Sequence, residues 1–279
     1  MKSNKSKKDT KEIIAILGAG NIGRSIAEGL PKTGKYKPGQ IILTQKKVHS
    51  LENLRSQGFI VQSDNRDAVR KAKIIIITVR PLQLNGLLEE IRSDLDPENH
   101  ILVSVVTDVT IGQIYKQIDP KIQVVRAMPN LAISISESMT CLATIKESQS
   151  SIDKVKNIFD ALGKTLIIEE NLMVSATVLC ACGVAFFLRA IRAASQGGIQ
   201  IGFHAEVALQ MAAQTAKGAA EILLKLNKYP ESEIDKVTTP RGCTIAGLNE
   251  MEHQGFSSSM IKGIITSYEQ AEKLYKGEN

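Results

Sequence analysis

Short apolar runs alternate with amphipathic stretches along the first half of the chain. The run Ile74–Ile77 is continuously apolar, which is typical of a strand whose two faces are both covered by helices. Strands are predicted over Ile13–Leu17, Ile41–Thr44, Phe59–Val61, Lys73–Val79, Ile101–Val106 and Ile122–Val125. Helices are predicted between them over Asn21–Leu30, Leu51–Gln57, Arg66–Lys71, Leu82–Ile91 and Ile111–Ile118. This alternation predicts a doubly wound parallel sheet.

The pattern changes in the second half of the chain. Two further strands are predicted at Met139–Ile145 and Thr165–Ile168, on either side of a helix over Ser151–Leu162. Beyond about Glu170 the strand signals end, and long helical stretches such as Ala205–Leu226 and Ser258–Lys276 follow. We therefore predict an α/β protein in three parts. These are a basic flexible tail (1–12), an N-terminal Rossmann-like domain (13–168) and an all-helical C-terminal domain (169–279).

One uncharged stretch needs a separate interpretation. Asn171–Leu188 carries no charge over 18 residues, which is near the lower limit for a membrane-spanning helix. It contains polar side chains, however, and it ends at Arg189. We predict a fully buried pair of helices in a helical core, and no membrane partner.

Composition narrows the function classes. Hydrophobic residues make up 43% of the 279 residues and charged residues 23%, which indicates a globular chain rather than a disordered one. The net charge of +6 comes partly from lysines in the tail, which we interpret as solvated. With 4% aromatic residues and no tryptophan, a base-stacking surface is poorly supplied, so nucleic acid is not an expected partner.

The cysteines and histidines suggest no metal site. Cys141, Cys180, Cys182 and Cys243 lack metal-ligand spacing and are expected to be free thiols in a reducing compartment. The sequence MKSNKSKKDT has no apolar core of a secretory signal, so a cytoplasmic location is expected. The four histidines are scattered and expected at the surface: His49, His100, His204 and His253.

A glycine loop follows the first predicted strand. It reads Gly18-Ala19-Gly20-Asn21-Ile22-Gly23 and leads directly into a helix. In this context the first glycine allows a tight turn, the second lets the backbone approach a pyrophosphate, and the third lets the helix pack close to the strand. The helix N-terminus then offers free N–H groups to phosphates. The loop predicts dinucleotide binding; the alternative is a purely structural turn.

The end of the second strand bears on which dinucleotide is bound. NAD-preferring sites usually carry an acidic residue there for the ribose 2′-hydroxyl. This chain has Lys46 and Lys47 instead, which could meet a 2′-phosphate. We predict NADPH as cofactor, with NADH possible; the alternative is a solvated lysine pair.

The chain resembles the pyrroline-5-carboxylate reductase family from Ile13 to Leu274, a range that includes the glycine loop. The motifs that carry the resemblance are Asn65, Val79-Arg80-Pro81, Arg126-Ala127-Met128-Pro129-Asn130, Gln214-Thr215-Ala216-Lys217-Gly218-Ala219-Ala220 and Val237-Thr238-Thr239-Pro240-Arg241-Gly242-Cys243-Thr244-Ile245-Ala246-Gly247-Leu248. The last is similar to the family's V-[ST]-S-P-G-G-[TA]-T-I-x-G-L signature. The order and spacing of these motifs make the resemblance specific.

The resemblance implies a fold, a reaction and a set of roles. It implies a C-terminal dimerisation domain and reduction of the cyclic imine 1-pyrroline-5-carboxylate to L-proline, the last step of proline synthesis. Asn65 would lie near the adenosine ribose, Val79, Arg80 and Pro81 would line the dinucleotide, and Met128, Pro129 and Asn130 would lie by the nicotinamide. Gly242, Cys243 and Thr244 would bind the substrate carboxylate. Thr244, which the sequence also predicts as the N-cap of a helix over Ile245–Glu252, is the one candidate for assisting at the imine nitrogen.

Three departures from the family pattern leave the substrate open. Ala181-Cys182-Gly183-Val184-Ala185 replaces G-S-G-P-A, Arg241 replaces the first glycine of S-P-G-G, and Asp108 stands where the family usually has glycine. Arg241 either blocks the substrate pocket or supplies a second cation for a carboxylate. Two alternative functions follow: a reductase of a related cyclic imine, and a catalytically silent dinucleotide-binding protein.

Overall fold

The computed structural model describes residues 12–145 and 149–276. The predicted basic tail lies outside the described residues, except for Glu12. Eight strands form one sheet in the order β3-β2-β1-β4-β5-β6-β7-β8. They are β1 Ile14–Leu17, β2 Ile41–Thr44, β3 Ile60–Gln62, β4 Ile74–Ile77, β5 Ile101–Ser104, β6 Gln123–Met128, β7 Ser138–Ala143 and β8 Gly163–Ile167. The first six are parallel in the Rossmann order, which confirms the predicted fold class.

Helices cover both faces of this sheet. They are α1 Asn21–Lys32, α2 Glu52–Ser56, α3 Asn65–Lys71, α4 Pro81–Ile91, α5 Ile111–Tyr115 and α6 Gln149–Phe159. Alternate residues of β1 point to opposite faces, so Ile14 and Ile16 join one core while Ala15 and Leu17 join the other. The continuous apolar strands of the sequence are therefore explained by two separate cores.

The strand β7 departs from the parallel arrangement that we predicted. It pairs antiparallel with β6, with Met128 opposite Cys141, while β8 pairs parallel with β7. Only the short 3-10 turn Leu131–Ile135 connects β6 to β7. A parallel pair needs a crossover of about a dozen residues or more, so this short connection reverses the chain instead.

The C-terminal part is helical, as predicted. Its helices are α7 Met173–Ala176, a π-helical turn Thr177–Cys182, α8 Gly183–Gln200, α9 Ala205–Leu226, α10 Pro230–Val237, α11 Cys243–His253 and α12 Phe256–Lys276. By its contacts the chain divides into one unit that runs to Ala181 and resumes at Ala271, and a second unit, Cys182–Gln270. The domain boundary that we placed at residue 168 stays a prediction.

The uncharged stretch does not form a fully buried helix pair, so that prediction is wrong. It belongs to one helical run, Glu170–Gln200, in which only a few residues are buried; Phe187 is 63% exposed. Between Cys182 and Leu274, the described residues that are buried are Gly183, Ser195 and Ala208 alone, because no element of this unit covers the remaining apolar side chains. The run is long and apolar enough to cross a membrane, but length and composition alone are weak evidence for a span.

Candidate functional site

Packing requires two glycines of the loop between β1 and α1. Gly18 has a φ of +99°, and a Cβ there would lie 2.8 Å from Cγ1 of Val79. A Cβ on Gly23 would lie 2.5 Å from the carbonyl oxygen of Gly18 and 2.6 Å from Oγ1 of Thr78. Thr78 also donates a hydrogen bond to that same carbonyl. These two glycines therefore hold the loop against the end of β4.

Packing does not require Gly20, the middle glycine. No described atom outside its immediate chain neighbours lies within 4 Å of the Cβ that it lacks, and its φ of −76° suits any residue. It is the N-cap of α1, where no side chain caps the helix and no acidic residue occupies the first turn. The space above Gly20 and the uncapped N–H groups fit an anion such as a pyrophosphate.

A cleft of about 740 Å³ opens beside this loop. It brings together eight of the predicted cofactor-binding residues: Gly18, Ala19, Gly20, Lys46, Lys47, Asn65, Val79 and Arg80. The other predicted residues do not line it: Asn21, Ile22, Gly23, Pro81, Met128, Pro129 and Asn130.

Sequence reasoning missed nine residues of the cleft. They are Thr44, Gln45, Ser63, Thr78, Leu82, Gln83, Gly86, Leu87 and Glu90. Two signals would have found most of them. Thr44, Gln45, Ser63 and Thr78 lie at or just after the carboxyl ends of β2, β3 and β4, where ligands bind in such sheets. Leu82, Gly86 and Glu90 lie four residues apart on one face of α4.

Polar groups on the cleft wall form a short chain of hydrogen bonds. Oγ1 of Thr44 donates to Oδ1 of Asn65 at 2.6 Å, and Nδ2 of Asn65 donates to the carboxylate oxygens of Glu90 at 3.1 and 3.2 Å. Oε1 of Gln45 is buried and has no hydrogen-bond partner among the described residues. An unpaired buried acceptor is costly, so Gln45 fits a ligand that donates a hydrogen bond there.

The segment predicted to lie by the nicotinamide is held by internal hydrogen bonds. Asn130 is buried; its N–H donates to Oγ of Ser138 at 3.1 Å, and its Oδ1 accepts from the N–H of Ala132 at 3.0 Å. Its Nδ2 donates to the carbonyl oxygen of Cys180 at 3.2 Å. The Asn130 side chain therefore fixes the loop, and its contact with a cofactor stays a prediction.

The predicted carboxylate site is a tight turn that leads into α11. The N–H of Gly242 donates to the carbonyl of Thr239 at 2.9 Å, with Pro240 and Arg241 between them. Arg241 has a φ of +62°, the conformation that a Pro-Gly turn supplies at its third position. Arg241 and Cys243 are exposed, and Thr244 is partly exposed.

The predicted N-cap at Thr244 is wrong. The helix begins at Cys243, and its N-cap is Gly242 in extended conformation (φ −74°, ψ 159°). A Cβ on Gly242 would lie 2.5 Å from Oγ1 and 2.9 Å from the carbonyl oxygen of Thr239, so the turn leaves no room for a side chain at the N-cap. Thr244 lies within the first helical turn, and no side chain caps α11.

His100 does not lie at the surface, contrary to our prediction for the histidines. It is 7% exposed, and its Nδ1 accepts a hydrogen bond from the N–H of Asp96 at 2.9 Å. Burial lowers the pKa of His100 below its usual value, against the opposing influence of the Asp96 carboxylate. Among the described residues, no cluster of three or more His, Cys, Asp or Glu side chains is placed to hold a metal ion.

Two family models match the chain. One, described as pyrroline-5-carboxylate reductase dimerisation, matches residues 170–274, and the other, described as NADP oxidoreductase, coenzyme F420-dependent, matches residues 13–108. The chain is 48% identical over 276 residues to pyrroline-5-carboxylate reductase 2 of Dictyostelium discoideum, which covers 93% of this chain and 92% of the relative.

Two further matches agree with these. Pyrroline-5-carboxylate reductase 1 of the same organism is 50% identical over 274 residues, or 94% of this chain, but the match spans only 50% of that relative's own length. The crystal structure of Plasmodium falciparum pyrroline carboxylate reductase with NADP bound superposes with a TM-score of 0.83 at 22% identity. That match covers 95% of this chain and 98% of that one, which shows that the fold is shared.

Proposed function

The chain belongs to the pyrroline-5-carboxylate reductase family, and on that premise we propose that it reduces 1-pyrroline-5-carboxylate to L-proline with NADPH. The observation that carries the cofactor half of this proposal is the loop at Gly20. The open space over that residue and the uncapped start of α1 lie together in the 740 Å³ cleft. A reduced nicotinamide, when bound, supplies the hydride for the C=N carbon.

The residues of the cleft divide the work of holding the dinucleotide. The N–H groups after Gly20 would receive the pyrophosphate, and Asn65 would meet the adenosine ribose. Lys46 and Lys47 are exposed at the same cleft, and neither forms an ion pair with a described residue. They would bind a 2′-phosphate, which supports NADPH over NADH.

Two groups of this chain would act on the substrate. The Gly242–Thr244 turn presents the uncapped N-terminus of the 11-residue helix α11, whose N–H groups favour a carboxylate. The Thr244 hydroxyl, in the first turn of that helix, would donate a hydrogen bond to the substrate near its nitrogen. A protonated imine would need no strong side-chain acid, so positioning and charge suffice.

We also propose that the chain self-associates through its C-terminal helices and works in the cytoplasm. The match of residues 170–274 to a dimerisation family and the exposed apolar side chains of these helices support the first. The four cysteines are free thiols, which supports a reducing compartment.

The test uses the full chain and measures loss of the absorbance of reduced nicotinamide over a panel of cyclic imines. We expect 1-pyrroline-5-carboxylate to have the highest kcat/KM. Gly20→Val should fold normally, because no described atom outside the immediate chain neighbours lies within 4 Å of the Cβ position, yet lose about a hundredfold in kcat/KM by filling the pyrophosphate space. Gly112→Ala, on a helix away from the cleft, is the matched control.

Two results would overturn the proposal in different ways. Dinucleotide binding without turnover of any imine would favour the silent binder. Faster turnover of another imine would favour the related reductase.

A further inference from the structure

Two cysteines from different elements meet beside the segment that is proposed to hold the nicotinamide. Sγ of Cys141, on β7, lies 4.0 Å from Sγ of Cys180, in the π-helical turn. Cys141 is 3% exposed, whereas Cys180 is partly exposed. Both are free thiols in the structure. The proposed reaction uses neither of them.

The pair is built into a small apolar cluster. Met128, Cys141, Ala143, Met173 and Ala176 form its buried part, and Cys180 packs against it. The cluster holds the two sulfur atoms in contact, so a bond between them requires no large rearrangement of the chain.

The two thiols are unequal, which suits oxidation in sequence. Either sulfur can donate the hydrogen bond between them; with the Cys141 thiol as donor, it lowers the pKa of Cys180 to about 7. The same hydrogen bond, together with burial, raises the pKa of Cys141. The pKa shifts therefore favour the thiolate, the reactive form, at the more exposed sulfur and the protonated thiol at the buried one.

We propose that Cys141 and Cys180 are an oxidation site, which hydrogen peroxide converts to an intramolecular disulfide that slows the reductase. The Cys180 thiolate attacks a peroxide oxygen, the O–O bond breaks, and hydroxide leaves and takes up a proton. Cys180 becomes a sulfenic acid. The Cys141 sulfur then attacks it, the S–S bond forms, and the hydroxyl leaves as water with the Cys141 proton. The two thiols lose two electrons, and the peroxide is reduced to two waters.

The bond would disturb one particular segment. To bond, the sulfur atoms must approach from 4.0 Å to about 2 Å. Cys141 lies opposite Met128 in the sheet, and the carbonyl of Cys180 accepts the Asn130 side-chain amide. Both cysteines are thus tied to the segment Met128–Asn130, so their approach shifts it. The effect on turnover rests on the proposed function; formation of the cross-link does not.

The other cysteines are poorer partners. Cys182 lies two positions from Cys180 on the same helical turn, where side chains do not face each other. It provides a matched control, because Cys182→Ser removes a thiol from the same turn and leaves the pair intact.

The experiment treats the full chain with hydrogen peroxide, blocks remaining thiols by alkylation and maps cross-linked peptides by mass spectrometry, with turnover measured in parallel. We expect the intact chain to lose two hydrogen atoms and the peptides of Cys141 and Cys180 to be joined. Turnover should fall by up to about a hundredfold and return with dithiothreitol, since a displacement of about 1 Å near reacting groups can cost about that factor. Cys141→Ser and Cys180→Ser should abolish the cross-link and the sensitivity, whereas Cys182→Ser should keep both.

Each failure has its own meaning. A Cys180–Cys182 link, a link between chains, or sulfinic acid alone would overturn the oxidation site. The peptide map of the peroxide-treated protein without substitutions is enough to detect each of these products. A correct cross-link with unchanged turnover would overturn the inhibition. Absence of turnover before peroxide would instead contradict the proposed function, with the peptide map still deciding the cross-link.

Discussion

Two residues occupy positions where the family pattern has glycine and adopt the backbone conformation that glycine favours. Arg241 has a φ of +62° and Asp108 a φ of +63°. Side chains other than glycine, asparagine and aspartate rarely adopt this region, and the cost is about 1–2 kcal/mol. The glycines of the family pattern are therefore explained by the turn itself, and Arg241 is the more strained of the two departures.

Replacing Arg241 separates this strain from the effect of the guanidinium. Arg241→Gly relieves the strain but also raises the entropy of the unfolded chain, which opposes the gain. Its net effect should be to raise the free energy of unfolding by up to about 1 kcal/mol. Arg241→Ala removes the guanidinium but keeps the strain, so its stability should stay near that of the unmodified protein. Denaturant titration measures both.

The same two variants decide what Arg241 does in turnover. If the Arg241 guanidinium binds the substrate carboxylate, both variants should raise KM and lose the salt dependence of substrate binding. If Arg241 instead blocks the substrate pocket, both variants should raise kcat/KM. Opposite effects of alanine and glycine on KM would exclude both hypotheses and indicate that backbone conformation matters instead.

Lys46 and Lys47 should set the preference for NADPH. Changing both to alanine should lower kcat/KM for NADPH by the equivalent of about 1–3 kcal/mol of transition-state stabilisation and leave kcat/KM for NADH unchanged. Lys35→Ala, a basic residue outside the cleft, is the control. Equal use of both cofactors by the unmodified protein would contradict the prediction.

His100 should make stability depend on pH. Because burial lowers its pKa in the folded state, the unfolded chain binds the proton first as the pH falls below about 6.5. The contribution of His100 is therefore complete above that pH and is lost as the pH falls toward its folded-state pKa. His100→Asn offers an acceptor to the Asp96 N–H without titrating. Its free energy of unfolding should fall less than that of the unmodified protein between about pH 7.5 and 5.5; parallel curves would refute the idea.

At the level of residues, the sequence predicted those parts of the site that depend on local chain geometry. The glycine loop, Lys46, Lys47 and Asn65 all reach one cleft because each follows a parallel strand at the same edge of the sheet. The four-residue spacing on α4 shows in the sequence that Glu90 shares a helix face with Leu82 and Gly86, but the contact of that face with the cleft and the burial of His100 depend on how distant segments pack.

At the level of elements, an ion pair joins β6, α5 and the beginning of the long helical run. Nη1 of Arg126, which is fully buried, lies 3.4 Å from Oε1 of Glu170. The same oxygen accepts the N–H of Ile111 at 2.6 Å. One carboxylate therefore satisfies a helix N-terminus and faces a buried cation.

Removing Glu170 should destabilise the α/β unit strongly. Glu170→Ala should cost about 1–3 kcal/mol, because it removes the acceptor of the Ile111 N–H and a carboxylate beside the buried Arg126 guanidinium. Glu170→Gln keeps an acceptor and should cost less. Glu169→Ala, the adjacent carboxylate, is the control. If alanine and glutamine cost the same at Glu170, the hydrogen bond to Ile111 contributes nothing.

The elements themselves were largely predictable, whereas their partners were not. All eight strands overlap the predicted apolar runs. Four of them, β1, β2, β4 and β5, are buried along their whole length, and a strand buried on both faces leaves a clear sequence pattern. The direction of β7 was missed because it depends on the length of a connection. The apolar stretch 171–188 predicts burial, because apolar side chains are usually covered, but the sequence does not show which element covers them.

At the scale of the whole molecule, the helical unit lacks a core of its own. Its three buried residues are small, while large apolar side chains along α8, α9 and α12 are exposed. Burial of apolar area is the main favourable contribution to folding, so a unit of this kind is not expected to hold its structure as a lone chain. A second copy, as the dimerisation family match suggests, would supply the missing cover.

We therefore expect folding and self-association of this chain to be one process. Light scattering should give a dimer or a larger even assembly at micromolar concentration. The unfolding midpoint should rise with protein concentration, because the apparent stability of a dimer increases by about 1.4 kcal/mol for each tenfold increase in concentration. Phe187→Glu places a charge on the exposed face of α8 and should lower the assembly state together with helix content. Ile135→Glu, a similarly exposed position in the α/β unit, should leave both largely unchanged. A monomeric chain that keeps its helix content, with a midpoint independent of concentration, would show that the helical unit stabilises itself and that its apolar surface serves another purpose.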